Sequence, residues 1–271
     1  MKTILVATDF SKTALNAANY AADMALAINA DLVLLHTYQI PVVYSEVPLA
    51  MDMDGMQKIA EKDLNELKDQ LIRSKRHKLN IKTEVQVGNF YAELKAVCER
   101  IEPYVVVMGS QGTTATERIL FGGHTVHAMK NLAWPLITVP MNASFSAVKR
   151  IGLACDLNDV LSTTPAEEIK LLVKDFNAEL HILNTKKRDK YDPERSFELG
   201  VMEEMLWPLK PDYHFINTDN VDESIMEFAE KNQIDLLIVL PKRHGLLDKL
   251  LHKSHTKEFV LHSHVPVMAL H

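Results

Sequence analysis

The chain has 271 residues, 47% hydrophobic and 24% charged, with a formal net charge of −6. That much apolar material excludes wholesale disorder, and an acidic balance without a long basic run argues against gripping nucleic acid or an anionic membrane. The two cysteines, Cys98 and Cys155, fall in different repeats, which argues against a structural disulfide and fits a reducing, cytoplasmic compartment.

In chain order, Ile4 to Thr8 reads as a buried strand entered directly from Met1, without the shape of a signal peptide. No apolar run approaches the roughly 18 residues of a membrane span. Ser11 is a candidate N-cap for a helix to about Ile28, with Ala14, Ala17, Ala18, Ala21, Ala22 and Ala25 as a close-packing face. Leu32 to Thr37 is a second strand and Pro41 to Gly55 a loop. Met56 to about His77 is a charged amphipathic helix whose Lys and Glu read as a solvated face. Lys82 to Val87 is an alternating strand, Tyr91 to Ile101 a helix, and Val105 to Met108 a wholly apolar strand. A glycine-bearing loop precedes a helix from about Gly123 to Leu132, and Leu136 to Val139 closes the set.

The same order then repeats. Ile4–Ser11 is echoed by Ile151–Asn158, Leu32–Thr37 by Leu180–Thr185, Val105–Met108 by Leu237–Leu240, and Trp134–Pro140 by Val265–Leu270. Helices are expected near Thr164–Phe176, Glu194–Leu206, Asp222–Lys231 and His255–His262. Strands alternating with helices imply α/β architecture with helices on both faces of a parallel sheet. A short polar and small stretch, Asn142 to Ala147, marks the boundary. It gives two tandem doubly wound open-sheet domains, residues 1–145 and 146–271.

In such sheets ligands sit beyond the carboxyl ends of the strands. In the first half those positions hold Thr8 and Asp9, Thr37, and Gly109-Ser110-Gln111-Gly112, with Gly122, Gly123, His124 and Thr125 at the expected helix start. Glycine lets backbone approach a phosphate, and successive N–H groups in such a turn form an anion nest. A helix start adds free donors and a favourable dipole. Thr125 offers a hydroxyl, and Asp9 accepts hydrogen bonds from a base or ribose. The spacing is neither a Walker A loop nor the dinucleotide Gly-x-Gly-x-x-Gly. The plainer readings are a tight turn for the glycines, capping for Asp9 and an ordinary strand end for Thr37.

Asp9 after the first strand, Gly109-x2-Gly112-x9-Gly122 and Trp134-Pro135-Leu136-Ile137-Thr138-Val139 resemble the universal stress protein family over nearly the whole chain, as two domains in tandem. The resemblance implies a stress-response protein that binds ATP or AMP, with or without Mg. Thr8, Asp9 and Thr37 would flank adenine and ribose, and Met108 would line the pocket. Gly109, Gly112, Gly122, Gly123 and Thr125 would take the phosphates. Gly123 stands where the family's ATP-binding members have Ser or Thr, which removes a hydroxyl but keeps the N–H. In the second half Pro241 replaces the first loop glycine and has no N–H to offer. His244 stands at the second glycine and Lys253 at the third, in a loop one residue shorter, so no nucleotide is expected there. Ser254 and Asp156 remain, and Lys242, Arg243 and Lys253 could attract another anion.

The resemblance also implies an internal pseudo-dimer paired through Leu136–Val139 and Val267–Leu270, and leaves a further homodimer open. A sheet edge covered in this way no longer templates aggregation. No nucleophile with a base, carboxylate pair or metal cage stands out, so slow ATP hydrolysis is the most enzymatic activity expected. His244, His252, His255, His262, His264 and His271 lack a companion carboxylate or cysteine at ligand spacing. Cys155 reads as an inert small residue, because the neighbouring Asp156 would raise its pKa. Met51, Met53 and Met56 read as packing, with a lid over the pocket as the alternative. Two rival functions are a scaffold that binds no nucleotide and an enzyme acting on another small ligand; the lack of Gly-x-Ser-x-Gly argues against a hydrolase.

Overall fold

A computed structural model describes residues 1–40, 53–76, 78–110, 115–185, 193–218, 220–241 and 255–271. The first half runs β1 (Thr3–Ala7), α1 (Lys12–Ile28), β2 (Asp31–Tyr38), α2 (Met53–Ser74), β3 (Ile81–Val87), α3 (Phe90–Ile101), β4 (Val105–Gly109), α4 (Ala115–Asn131) and β5 (Leu136–Val139). The second runs β6 (Arg150–Ala154), α5 (Val160–Thr163), α6 (Ala166–Phe176), β7 (Glu179–Asn184), α7 (Pro193–Leu206), β8 (Asp212–Phe215), α8 (Val221–Lys231), β9 (Leu236–Val239), α9 (His255–His262) and β10 (Val267–Ala269).

Ten strands form one sheet in the order β3-β2-β1-β4-β5-β10-β9-β6-β7-β8. Every neighbouring pair is parallel except β5 and β10, which join the halves antiparallel with Ile137 opposite Met268. Ile4 to Ala7, Val105 to Val107 and Leu136 to Val139, all apolar but Thr138, have relative exposures of 5% or less, as expected for strands covered on both faces. One face carries α1 and α6, where Ala17, Ala18, Ala21, Ala22 and Ala25 are fully buried and let α1 lie close on the sheet. The other face carries α3, α4, α8 and α9.

Polar contacts also tie the halves together. Asp175 of α6 accepts from the Tyr104 hydroxyl at 2.8 Å and pairs with Lys2 at 2.5 Å. Asn16 donates to the Pro140 and Ala143 carbonyls, both at 2.9 Å, fixing the start of the connecting segment. Phe145 then packs edge-on against Tyr20 and tilted against Phe176.

Two expected element boundaries are corrected. α2 begins at Met53, within the stretch expected to be loop, while Met51 lies outside the described residues. α4 begins at Ala115 rather than near Gly123. The stretch Ala115-Thr116-Glu117-Arg118-Ile119-Leu120 is rich in helix formers, which outweigh the cost of carrying two glycines in the helix interior. Gly122 and Gly123 therefore lie within α4, where N–H groups serve the helix ladder, rather than at its donor-rich start.

Candidate functional site

β1 pairs with β2 on one side and β4 on the other. The chain therefore winds outward through β2 and β3 and then returns to the opposite side of β1. This reversal is the topological switch point at which open α/β sheets form their ligand crevice. A cleft of about 220 Å³ lies there, against the ends of β1, β2 and β4.

Thr8, Asp9, Thr37, Met108, Gly109 and Thr125 all line it, drawn from separated stretches of chain. Gly112 lies outside the described residues. Gly122 and Gly123 belong to the interior of α4 and not to its start. Gly123 is not part of the cleft lining, and a Cβ added to it would meet open space.

The floor is a turn with its own hydrogen-bond logic. Phe10 adopts a left-handed φ of 62°. Its N–H donates to the Thr8 hydroxyl at 3.1 Å, and the Ser11 N–H donates to Asp9 Oδ1 at 3.0 Å. Ser11 then caps α1 by accepting from the Ala14 N–H. Across the sheet, His36 Nδ1 donates to the Thr8 carbonyl at 2.8 Å, which assigns its tautomer because a carbonyl can only accept. Asp9 thus has a structural duty, while its exposed side chain still faces the cleft.

Gly109 is required for a reason the loop motif does not reveal. A Cβ there would sit 2.9 Å from the Thr13 carbonyl carbon and 3.0 Å from the Ala14 nitrogen, both backbone atoms of α1. Close passage of α1 over the end of β4 therefore demands glycine before any ligand is considered. The Thr125 hydroxyl donates to the Gly109 carbonyl at 3.3 Å, pinning α4 to that strand end. A phosphate would have to compete for that proton.

Several wall residues belong to no loop motif and are missed by a search for one. Gly88 follows β3 with φ 153°, and a Cβ there would fall 2.5 Å from Glu93 Oε1. Asn89 next caps α3 by accepting from the Tyr91 and Ala92 N–H groups, which swings Phe90 into the lining. The Phe90 ring meets His124 edge-on, centroids 5.3 Å apart. Gln39 and Ser110 complete this side. The strand-end rule finds Gly88 and Phe90 once it is applied to β3 as well as to β1, β2 and β4. Gln39 follows β2 directly, one residue beyond the end at Tyr38, and is missed because the sequence places that strand's end at Thr37. Among the described lining residues, Asp9 is the one carboxylate, His124 the one imidazole, and there is no Lys or Arg.

The chain matches the model of the universal stress protein family over residues 1–140 and again over 147–271. It belongs to that family. Universal stress protein MJ0577 of Methanocaldococcus jannaschii is 28% identical over 152 residues, spanning 51% of this chain and 94% of that protein. A solved universal stress protein from Archaeoglobus fulgidus, 16% identical, covers 99% of this chain and 97% of its own, with a TM-score of 0.74. A functionally unknown protein from Pseudomonas aeruginosa, 11% identical, covers 100% of this chain and 92% of its own at a TM-score of 0.62. At these identities the two solved structures establish the fold.

In this universal stress protein the second half repeats the floor of the site. Leu157 has φ 52°, its N–H reaches Cys155 Sγ at 3.4 Å, and the Asn158 N–H donates to Asp156 Oδ1 at 3.2 Å. Asn184 occupies the place of His36 and donates to the Cys155 carbonyl at 2.9 Å. Pro241 follows the strand in place of Gly109. Residues 242–254, with Lys242, Arg243, His244, His252, Lys253 and Ser254, lie outside the described residues.

Proposed function

We propose that residues 1–145 bind an adenine nucleotide in the cleft at the β1–β4 switch point, and that residues 146–271 are a copy without a nucleotide site. The protein would act in the stress response through ligand-dependent stability or partner binding, rather than as a dedicated enzyme. The observation that carries this reading is convergence. Six of the nine residues picked from the sequence for base, ribose and phosphate contacts, Thr8, Asp9, Thr37, Met108, Gly109 and Thr125, line one cleft where this topology forms a crevice, which supports the reading. Gly112 is proposed to join the phosphate end, whereas Gly122 and Gly123, inside α4, are not. Mg is an optional companion of the phosphates, since Asp9 is the one lining carboxylate among the described residues. A cytoplasmic location and self-association belong to the same reading. Among the described residues, no helix is long and apolar enough to cross a membrane.

The test is a thermal melt with and without millimolar Mg-ATP or AMP. A ligand at a hundredfold excess over Kd adds about 2.7 kcal/mol, and a chain of this size gains roughly 2–4 °C per kcal/mol. A rise of several degrees that disappears in Gly112→Val supports the site. No rise, in protein purified free of nucleotide, sinks it. The scaffold reading is then favoured by a specific observation: the Asp9 turn is rebuilt around Asp156 beside a loop that begins with proline. That turn stands without a glycine loop to serve.

A further inference from the structure

We infer that α7 pairs antiparallel with α7 of a second copy of this chain, each Phe197 packing on the other copy's Trp207. The inference names a surface for the self-association proposed above and does not depend on the nucleotide site.

Three observations carry it. The first is exposure. Phe197 and Trp207 are each 69% exposed, and Leu161 is 73% exposed. The Val160 N–H donates to Glu198 at 2.8 Å, which ties α5, and Leu161 with it, to the side of α7. The counterpart in the first half is α2, which links β2 to β3 as α7 links β7 to β8. Its outer face is charged, with Lys58, Glu61, Lys62, Asp63 and Glu66 exposed. Ile59 is the one large apolar residue exposed on α2 among those described. The apolar outer face is therefore confined to the second half.

The second is a glycine without an internal duty. Gly200 is exposed in the interior of α7, and a Cβ added there would meet nothing within 4 Å. Glycine weakens a helix interior, and no packing within this chain asks for one here. It leaves a notch between the two aromatic side chains, open to close approach from outside.

The third is spacing. Phe197, Gly200, Glu204 and Trp207 are three, four and three residues apart, so they share one face of the helix. Trp207 stays on that face because its N–H donates to the Glu204 carbonyl at 3.3 Å, continuing the last turn. The series is symmetric under reversal, with aromatic ends around a small and a long residue. A second α7 laid antiparallel about a twofold axis puts each Phe197 on the other copy's Trp207 and each Glu204 over the other copy's Gly200. Such reciprocity is what an isologous interface requires.

Size and charge set the strength. At 69% exposure and roughly 150–250 Å² per aromatic side chain, two Phe and two Trp supply about 400–700 Å². Gly200, Glu204 and Leu161 bring this toward the roughly 1,000 Å² of a specific interface, so the dimer is weak and reversible. Glu203 and Glu204 gather like charges near the axis. Arg195, the one cation of α7, is turned toward Asn184 and Phe215 instead. Added salt therefore strengthens the pairing by screening that repulsion.

The experiment is analytical ultracentrifugation of the full chain from about 5 to 500 µM, a range chosen for weak association. Wild type should show a reversible monomer–dimer equilibrium that tightens about two- to tenfold between about 0.05 and 0.5 M salt. Phe197→Ala and Trp207→Ala should each weaken it by roughly tenfold or more. Gly200→Leu fills the notch and should abolish the dimer, while raising the melting temperature of dilute protein by roughly 2–3 °C. Loss of association in that variant is then not loss of fold. A dimer indifferent to these three variants, or one weakened by salt, overturns the α7 face and leaves self-association standing. A monomer at every concentration and salt overturns both and leaves this face to a different protein. Neither result touches the nucleotide cleft, which the ligand melts test separately.

Discussion

The two halves carry the same turn after their first strand and part company after their fourth. Thr8-Asp9-Phe10-Ser11 and Cys155-Asp156-Leu157-Asn158 share the left-handed third residue, the contact from its N–H to the first side chain, and the Asp that accepts two residues on. In both, a side chain at the same position of the next strand, His36 or Asn184, ties down that turn. The fourth strands then diverge, Gly109 against Pro241. A feature kept in both halves answers to the fold, whereas a feature confined to one is a candidate for function. On this criterion the Asp turn is framework, and the exchange of Gly109 for Pro241 makes the end of the fourth strand the candidate for function.

The strongest challenge to that division is Gly109, which answers to both. Its missing Cβ makes room for the α1 backbone at 2.9 Å. Gly109→Ala should cost about 1–3 kcal/mol through forced backbone movement, a fall of roughly 2–4 °C in melting temperature per kcal/mol. A melt of ligand-free variant protein checks this. An unchanged melting temperature would mean that α1 yields freely, and the glycine would revert to a ligand-only role.

Next in size is the contact that makes two halves one molecule. Asp175 is largely buried and serves both Tyr104 and Lys2 across the boundary. Asp175→Ala leaves the Tyr104 hydroxyl and the Lys2 ammonium without their partner, which should cost about 1–3 kcal/mol. Because the β5–β10 seam is intact, denaturation followed by fluorescence and by circular dichroism should still give one coincident transition. Two separated transitions would show that this cluster, and not the shared sheet, makes the halves cooperate.

How far fold and site are legible in the sequence depends on the kind of signal each feature leaves there. The repeat, the strand runs and the alanine face of α1 are readable because burial on both sides of a parallel sheet writes continuous apolar stretches into the sequence. Ser11 is readable as a cap because few residue types can fill that place. The start of α4 is misread because Gly122-Gly123 looks like a boundary and the helix formers before it carry no stop signal. Phe90 and Gly88 escape as cleft residues because β3 is not counted among the strands that end at the cleft, and Gln39 because β2 runs one residue further than expected; how strand ends line up across the sheet is a tertiary fact with no motif of its own. The structural demand on Gly109 is hidden for the same reason, since the clash lies with Thr13 and Ala14, at the other end of the first half.

A smaller and more pointed comparison uses the two aspartates themselves. Asp9→Ala and Asp156→Ala each remove one acceptor from a matching turn. Each should lower stability by about 0.5–1 kcal/mol, the size of one exposed side-chain to backbone bond. Nucleotide binding should change in Asp9→Ala and remain as in wild type in Asp156→Ala. If both variants bind as wild type does, Asp9 is framework alone and the site begins at Gly109.

The smallest expected effect lies at the outer strands, where the halves have parted most. In the first half Glu84 of β3 receives the Arg100 guanidinium at 2.5 Å. The matching place in β8 holds His214, whose Nε2 lies 3.1 Å from His181 Nδ1 and whose ring packs on Phe228 at 4.7 Å. Burial holds the pKa of His214 below its usual value, the neighbouring His181 adds to that, and Asp212 opposes it. The folded protein thus binds a proton here less readily than the unfolded chain does. Above the ordinary imidazole pKa of about 6.5 the ring is neutral in both states and no stability is lost. As pH falls through that value the unfolded chain takes up the proton first, so stability declines until the folded ring protonates as well. His214→Gln keeps a polar side chain without the titration, so its melting temperature should fall less than that of wild type between pH 7.5 and 5.5. An equal fall in both proteins would mean that the ring protonates without penalty, its charge balanced by Asp212 two residues earlier on the same strand.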